Sequence, residues 1–303
     1  MSEPVTRSGF VGLAGRPNVG KSTLANAIVG TKVAIVSDRP QTTRRAVRGI
    51  ATDLKAGRQM VLIDLPGVQK PRDSLTRRMQ HRVSRELAGS DAVVFVINGE
   101  QGVGPGDRFI AKVLLESDAE RRPPIICAVN KCDRLRVHGT LETLSAAAEF
   151  DVVDEVFPIS ARRGDGVEEL KARLAELLPL GPYLYAPEET SDLPADIHLA
   201  ELIREQVLRR TRQEVPHAVE VRVTAVEPID SGVISISAEI WVESASQKGI
   251  LIGKAGRMIQ EIGSAARVEL EREFEAKVFL DLAVKLRTAW RRDEIMLDRL
   301  GIE

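Results

Sequence analysis

The chain of 303 residues carries 43 Lys and Arg against 44 Asp and Glu, a formal net charge of −1, and 43% of it is hydrophobic. That balance suits two globular domains, each long enough to bury a core, and excludes a fibrous chain, a disordered one, and one drawn to nucleic acid by its charge as a whole. Cys127 and Cys132 are the two cysteines, no run reaches the ~18 apolar residues of a membrane span, and the opening "MSEPVTRSGF" lacks the features of a secretory leader, so a reducing cytoplasm is expected.

From Phe10 to Leu178, short β-branched or aromatic runs ("FVGLA", "QMVLIDL", "DAVVFVIN", "PIICAVN", "VFPIS") alternate with segments such as "KSTLANAIVG" and "GVEELKARLAELL", whose apolar residues fall three and four apart. Strands of the first kind and helices of the second predict a doubly wound α/β unit with a mostly parallel sheet over residues 1–180. Residues 181–196, "GPYLYAPEETSDLPAD", interrupt that rhythm with three prolines and read as a linker. The rest, residues 197–303, predicts a small α+β domain. An amphipathic helix, "IHLAELIREQVLRRTRQEV", precedes two alternating strands in "HAVEVRVTAVEPIDSGVISISAEIWVES", with a turn at Asp230-Ser231-Gly232. Helix, strand ("KVFLDLAVK") and a final charged helix follow from Gly249.

The segment "GRPNVGKS" matches G-x-x-x-x-G-K-[ST] through Gly15, Gly20, Lys21 and Ser22, between a strand and a helix. Glycines let backbone N–H groups close on phosphate oxygens, Lys21 brings a point charge, and Ser22 offers a hydroxyl to Mg²⁺. Four further segments stand at strand ends or in the loop where a first switch belongs. Asp64 and Gly67 in "DLPG" suit Mg²⁺ and the γ-phosphate. Asn130, Lys131 and Asp133 in "NKCD" place a carboxylate to accept from the N1–H and N2–H₂ edge of guanine, an edge adenine lacks. Ser160, Ala161 and Arg162 in "SAR" add a backbone N–H toward the guanine carbonyl. In "PQTTRR", either Thr42 or Thr43 offers a hydroxyl to Mg²⁺ and an N–H to the γ-phosphate. Each segment alone is weak; their order and their places at strand ends resemble the translation-factor-like P-loop GTPases. That resemblance adds Val19 and Thr23 to the nucleotide-binding set, and Lys21, Thr42, Thr43 and Gly67 to the catalytic one.

Val68 stands where many of these enzymes have a water-orienting glutamine, so the chain resembles the hydrophobic-substituted GTPases and a slow intrinsic turnover is expected. Asn18 has two readings: a turn-stabilising residue, or, as in related GTPases with "PNVGKS", a ligand for K⁺ beside the phosphates.

In "GILIGKAGRMIQEIG", Gly253-Lys254-Ala255-Gly256 lacks the spacing of a second nucleotide loop. A tight glycine turn at a helix start instead suits a polynucleotide backbone, met by Lys254, Arg257 and helix N–H groups. This is the GXXG logic of the KH module, and the preceding strand pair suggests its type II form. Ile250, Ile252, Met258 and Ile259 flank the loop as groove wall and core. No aromatic lies inside the loop, so stacking is not its main device, and Trp241 and Trp290 read as packing residues. Residues 197–303 hold 16 Lys and Arg against 18 Asp and Glu, so specificity should come from base contacts. Arg204, Arg209, Arg210, Arg212, Lys285, Arg287, Arg291 and Arg292 are candidate phosphate contacts, though such charges are as a rule simply solvated.

A GTPase unit with these motifs joined to a C-terminal KH domain with "IGKAG" resembles the Era family of bacterial GTPases over nearly the whole chain. The resemblance implies a GTP- and Mg²⁺-dependent assembly factor for the 30S subunit, whose Ile252 to Arg257 segment binds 16S rRNA near its 3′ end; a monomer is expected. It also leaves a competing reading, a signalling GTPase peripheral to the inner face of the cell membrane.

Overall fold

The computed structural model describes residues 6–116, 122–212, 215–229 and 232–302. The chain divides into two compact units, one of Met1–Ala34, Thr43–Arg72 and Thr76–Asp192, the other of Ile35–Thr42, Asp73–Leu75 and Leu193–Glu303.

In the first unit β1 (Arg7–Ala14), β2 (Val47–Asp53), β3 (Arg58–Asp64), β4 (Ala92–Asn98), β5 (Ile125–Asn130) and β6 (Glu155–Pro158) lie in the order β2-β3-β1-β4-β5-β6. All neighbours are parallel except β2 and β3, a hairpin whose turn is fixed by the Asp53 carboxylate accepting from the Lys55 and Ala56 N–H groups. Every residue of β4 and β5 is buried, as their unbroken apolar runs require of strands covered on both faces. Helices α1 (Lys21–Val29), α2 (Ser74–Ala88), α3 (Pro105–Leu115), α4 (Val137–Ala148) and α5 (Val167–Leu177) supply the cover. Leu24, Ile28, Leu170 and Leu174 of α1 and α5 pack in one core layer; Val83, Leu87, Ile110, Leu114 and Ala147 of the other three pack in a second.

The proline-rich segment is bound along the β2–β3 edge as far as Asp192. Buried Gln59 accepts from Leu184 N (2.7 Å) and Tyr185 N (3.0 Å) and donates to Tyr185 O (2.9 Å). Ile50 N donates to Thr190 O, and Arg48 pairs with Asp192 at 3.1 Å. Prolines that cannot join a ladder as donors are accommodated here by an edge strand.

The second unit opens with α6 (Ala195–Arg210). That helix ends earlier than its amphipathic pattern suggests, because Thr211 takes an extended conformation (φ −108°, ψ 157°) while its hydroxyl donates to Val207 O. His217, expected in a strand, lies in the one-turn helix α7 (Val215–Ala218). Strands β7 (Glu220–Ile229), β8 (Val233–Val242) and β9 (Lys277–Leu286) form one sheet with β8 in the centre, antiparallel to β7 and parallel to β9. Asp230 and Ser231 of the expected turn lie outside the described residues. The parallel pair needs a long crossover, supplied by α8 (Ala245–Ile252) and α9 (Arg257–Phe274). The last helix, α10 (Glu294–Arg299), has only six residues. Trp290 is fully buried and donates to Ala218 O, and Trp241 is 3% exposed, so both are packing residues. The result is an α/β P-loop GTPase fold followed by a type II KH fold.

Candidate nucleotide site and nucleic-acid interface

Strand order reverses at β1, between β3 and β4, and the crevice beyond the C-terminal ends of these strands is where open α/β sheets take ligands. The loop from Gly15 to Ser22 sits there. A Cβ on Gly15 (φ +149°) would stand 2.5 Å from Val96 O, and one on Gly20 (φ +103°) 2.3 Å from the Asn130 amide nitrogen, so both positions exclude side chains. Lys21 is buried, and its ammonium donates to Gly15 O (3.1 Å) and Arg16 O (2.9 Å). Burial lowers its pKa to about 8, with the Asp64 carboxylate acting in the opposite sense. Behind the loop, Arg16 pairs with fully buried Asp107 of α3 at 2.9 Å.

Three oxygens converge beside Lys21. The Ser22 hydroxyl donates to Asp64 Oδ2 (2.6 Å), and Thr43 Oγ1 lies 3.0 Å from Ser22 Oγ and 3.3 Å from the same carboxylate oxygen. Asp64 is fully buried, its Oδ1 has no hydrogen-bond partner, and burial raises its pKa despite the hydroxyls and Lys21. A buried carboxylate with an unsatisfied oxygen beside two hydroxyls fits a hard cation such as Mg²⁺. Thr42 is not part of this cluster: its hydroxyl turns back to Arg39 O at 2.6 Å.

Gly67 rests on the phosphate loop, where a Cβ would fall 2.5 Å from Pro17 N, and Val68 N donates to Gly15 O. The Val68 side chain packs against the core of the second layer. Gln80 of α2 holds this segment, accepting from Gln69 N (3.0 Å) and donating to Gly67 O (3.1 Å).

Asn130, at the end of β5, joins three segments expected to form the base pocket. Its amide nitrogen donates to Val19 O (2.9 Å), and its oxygen accepts from Lys131 N (2.8 Å) and Ala161 N (2.9 Å). Lys131 takes a left-handed conformation (φ 69°) and reaches Asn18 O at 3.0 Å. Asp133 is exposed, with one carboxylate oxygen accepting from Ser160 Oγ at 2.8 Å. Arg162 is exposed in the same turn, and Thr23 is half-buried at the start of α1. Asn18 has φ 64°, a conformation asparagine tolerates better than most residues.

In the second unit the GXXG loop projects from between α8 and α9. Gly253 (φ 73°), Ala255 (φ 52°) and Gly256 (φ 78°) all have positive φ, Lys254, Ala255 and Arg257 are exposed, and Ile252 packs against the core. Beyond it, α9 and β9 border a groove of about 320 Å³ lined by Ile259, Gly263, Arg267, Leu280 and Phe279 among others. Phe279, 59% exposed, supplies an aromatic face that the loop sequence lacks. Several expected phosphate contacts are instead engaged within the protein. Arg204 is fully buried against Glu201 (2.5 Å) and Glu220 (3.7 Å), Arg209 pairs with Glu205, Arg210 with Gln206, and Arg291 with Glu243. Arg287 lies over the Trp241 ring and near Glu239. Buried acids on α6 and β7 draw Arg204 inward, a pairing across sixteen residues that helix periodicity does not reveal.

Residues 10–131 match the family model described as "50S ribosome-binding GTPase", and residues 214–291 match that of the KH domain. The chain is 43% identical to GTPase Era of Carboxydothermus hydrogenoformans over 297 residues, 97% of each protein. Two solved structures align with it at 32% identity and a TM-score of 0.92, covering 98% of this chain and 99% of theirs: Era in complex with MgGDPNP and nucleotides 1506–1542 of 16S ribosomal RNA, and a variant of Aquifex aeolicus Era bound to GDP and AlF₄⁻. By its motifs, its two folds and a likeness spanning its whole length, the chain belongs to the GTPase Era family.

Proposed function

We propose that this GTPase is a switch that binds the 3′ end of 16S rRNA and assists assembly of the 30S subunit, with residues 1–180 as the GTPase domain, 181–196 as linker and 197–303 as the KH domain. The observation that carries this reading is the 0.92 TM-score to an Era solved with both MgGDPNP and 16S rRNA, together with the exposed GXXG loop on this chain. The loop and the α9–β9 groove bind single-stranded RNA, and Phe279 stacks on a base. In the nucleotide site Ser22, Thr43 and Asp64 hold Mg²⁺, which supplies charge neutralisation of the phosphates when bound. Thr43, rather than Thr42, is the switch threonine. Lys21 neutralises developing charge, the Gly67 N–H faces the γ-phosphate, and Asp133 reads guanine.

With Val68 in place of glutamine, no side chain at that position orients water, and intrinsic turnover is slow. K⁺ at Asn18 is the finer reading of that residue; equal turnover in matched KCl and NaCl buffers removes it. Ordering of the loop around Thr42–Thr43 and of the segment after Gly67 by GTP, and their release on hydrolysis, change the affinity for RNA. Equal RNA affinity with GDP and a non-hydrolysable GTP analogue refutes that coupling.

No described helix is long and apolar enough to cross a membrane. We place the protein in the cytoplasm as a monomer, with peripheral membrane attachment as the competing reading. Replacing Lys254 and Ala255 by Asp separates the two. The RNA reading expects at least a tenfold loss of affinity for a 16S 3′-end oligonucleotide with GDP binding intact. Unchanged RNA affinity, with vesicle binding lost instead, supports the membrane reading.

A further inference from the structure

The segment before Thr43, Ile35–Thr42, is itself part of the second unit. Ile35, 5% exposed, belongs to the core formed by Leu199, Ile203, Val207 and the KH sheet. Val36 N donates to Glu205 Oε1 at 2.9 Å. The Thr42 carbonyl accepts from the Arg204 guanidinium, which is itself fixed by Glu201 and Glu220 on a second element. All three anchors, Ile35, Glu205 and Arg204, are nearly or fully buried, so the segment is held by apolar packing and two charge-assisted hydrogen bonds shielded from water. The division between the units falls at the Thr42–Thr43 peptide. Thr42 gives its carbonyl to α6, and Thr43, one peptide later, gives its hydroxyl to the Ser22–Asp64 cluster.

We propose that Arg204 is a positioning residue for GTP hydrolysis: by holding the Thr42 carbonyl it sets the conformational freedom of Thr43 and hence the ease with which Thr43 completes the Mg²⁺ site. Resting on the switch role proposed for Thr43, this assigns α6 of the RNA-binding unit to the nucleotide machinery. The entropy of ordering the loop is lost in part before nucleotide binds, which lowers what Mg²⁺ and the γ-phosphate must supply. By the same linkage, anything that displaces α6 from residues 35–42 raises the Mg²⁺ requirement.

Arg204→Lys keeps a cation between the two glutamates but shortens the fork that reaches Thr42, whereas Ile35→Ala loosens the segment and leaves every buried charge paired. Turnover is measured against Mg²⁺ concentration in full-length protein, with Kd for a fluorescent GDP as reference. We expect the Mg²⁺ concentration for half-maximal turnover to rise about fivefold in each variant, with GDP affinity within about twofold of wild type. In a Thr43→Ala background the effect of Arg204→Lys should vanish, because Arg204 acts through Thr43; a generally destabilised fold would lower activity equally in both backgrounds. Unchanged Mg²⁺ dependence in both variants, or a full additional loss in the Thr43→Ala background, overturns the proposal. Wild-type Mg²⁺ dependence in Thr43→Ala alone would instead sink the switch reading on which it rests.

Discussion

The two glycine loops of this chain share a residue alphabet and differ in what surrounds them. Gly15 and Gly20 are glycines because protein atoms occupy the space a Cβ would take, Val96 O at 2.5 Å and the Asn130 amide at 2.3 Å. Gly256 meets nothing within 4 Å. Its neighbour Gly253 would meet Met258 N at 2.9 Å and Met258 Cβ at 2.7 Å. The phosphate loop is therefore pre-formed by its own unit, Lys131 and Asn130 fastening it from behind, and suits a small ligand that must be gripped on all sides. The KH loop is closely packed at its first glycine and open at its last, which leaves room for a chain that continues past the site.

The base end of the nucleotide site gives the sharpest break in this comparison. If Asp133 reads guanine as proposed, Asp133→Asn swaps an acceptor for a donor at that edge while Ser160 retains a partner, so affinity for GDP should fall about a thousandfold and that for xanthosine diphosphate should rise. Competition between the two nucleotides measures it; an unchanged preference for guanine means that the base lies elsewhere. RNA affinity in the absence of nucleotide should not move.

Alanine at the glycines tests the difference directly. Gly20→Ala combines a left-handed φ with overlap on the Asn130 amide that ties three segments together, and GDP affinity should fall about a hundredfold. Gly253→Ala pushes on backbone at Met258 and should lower both Tm and RNA affinity. Gly256→Ala has only the left-handed conformation to oppose it, a cost of about 1–2 kcal/mol in stability. An RNA loss at Gly256 of about tenfold, out of proportion to its Tm, identifies the open space as the seat of the polynucleotide. Equal RNA affinity in Gly256→Ala and wild type makes that glycine a turn and nothing more.

Most of the first unit could be read from sequence because its physics is local. Buried parallel strands are unbroken apolar runs, and ligand-binding motifs stand at their C-terminal ends, so Asp64 and Asn130 close recognisable strands and Ser160 lies just after one. What could not be read depends on contacts distant along the chain. Nothing in "PQTTRR" says that Thr42 turns to Arg39 and Thr43 to Ser22, since either hydroxyl could have done so. Arg204 looks like one basic residue of a charged helix until Glu220, on another element, and Thr42 are seen to enclose it. Gln59 shows the same limit: an ordinary strand residue by its neighbours, it fastens the proline-rich segment 125 residues away through three hydrogen bonds.

Phe279 extends the contrast to the mode of recognition. The phosphate loop offers backbone donors and the Lys21 charge, and the KH loop seen alone suggests the same. The structure adds an aromatic ring, 59% exposed on β9, to the wall of the groove. An exposed phenyl contributes little to the fold, so Phe279→Ala should leave Tm nearly unchanged. It removes a stacking surface worth about 1–3 kcal/mol per base, so RNA affinity should fall about tenfold. Because no phosphate contact is lost, the dependence of log affinity on log salt should keep its slope, whereas Lys254→Ala should reduce that slope by about one unit. Titrations of a 16S 3′-end oligonucleotide at several KCl concentrations separate the two. If Phe279→Ala binds as tightly as wild type, the groove reads its bases by hydrogen bonding and apolar contact alone, and the KH loop and the phosphate loop are closer in mechanism than the exposed ring suggests.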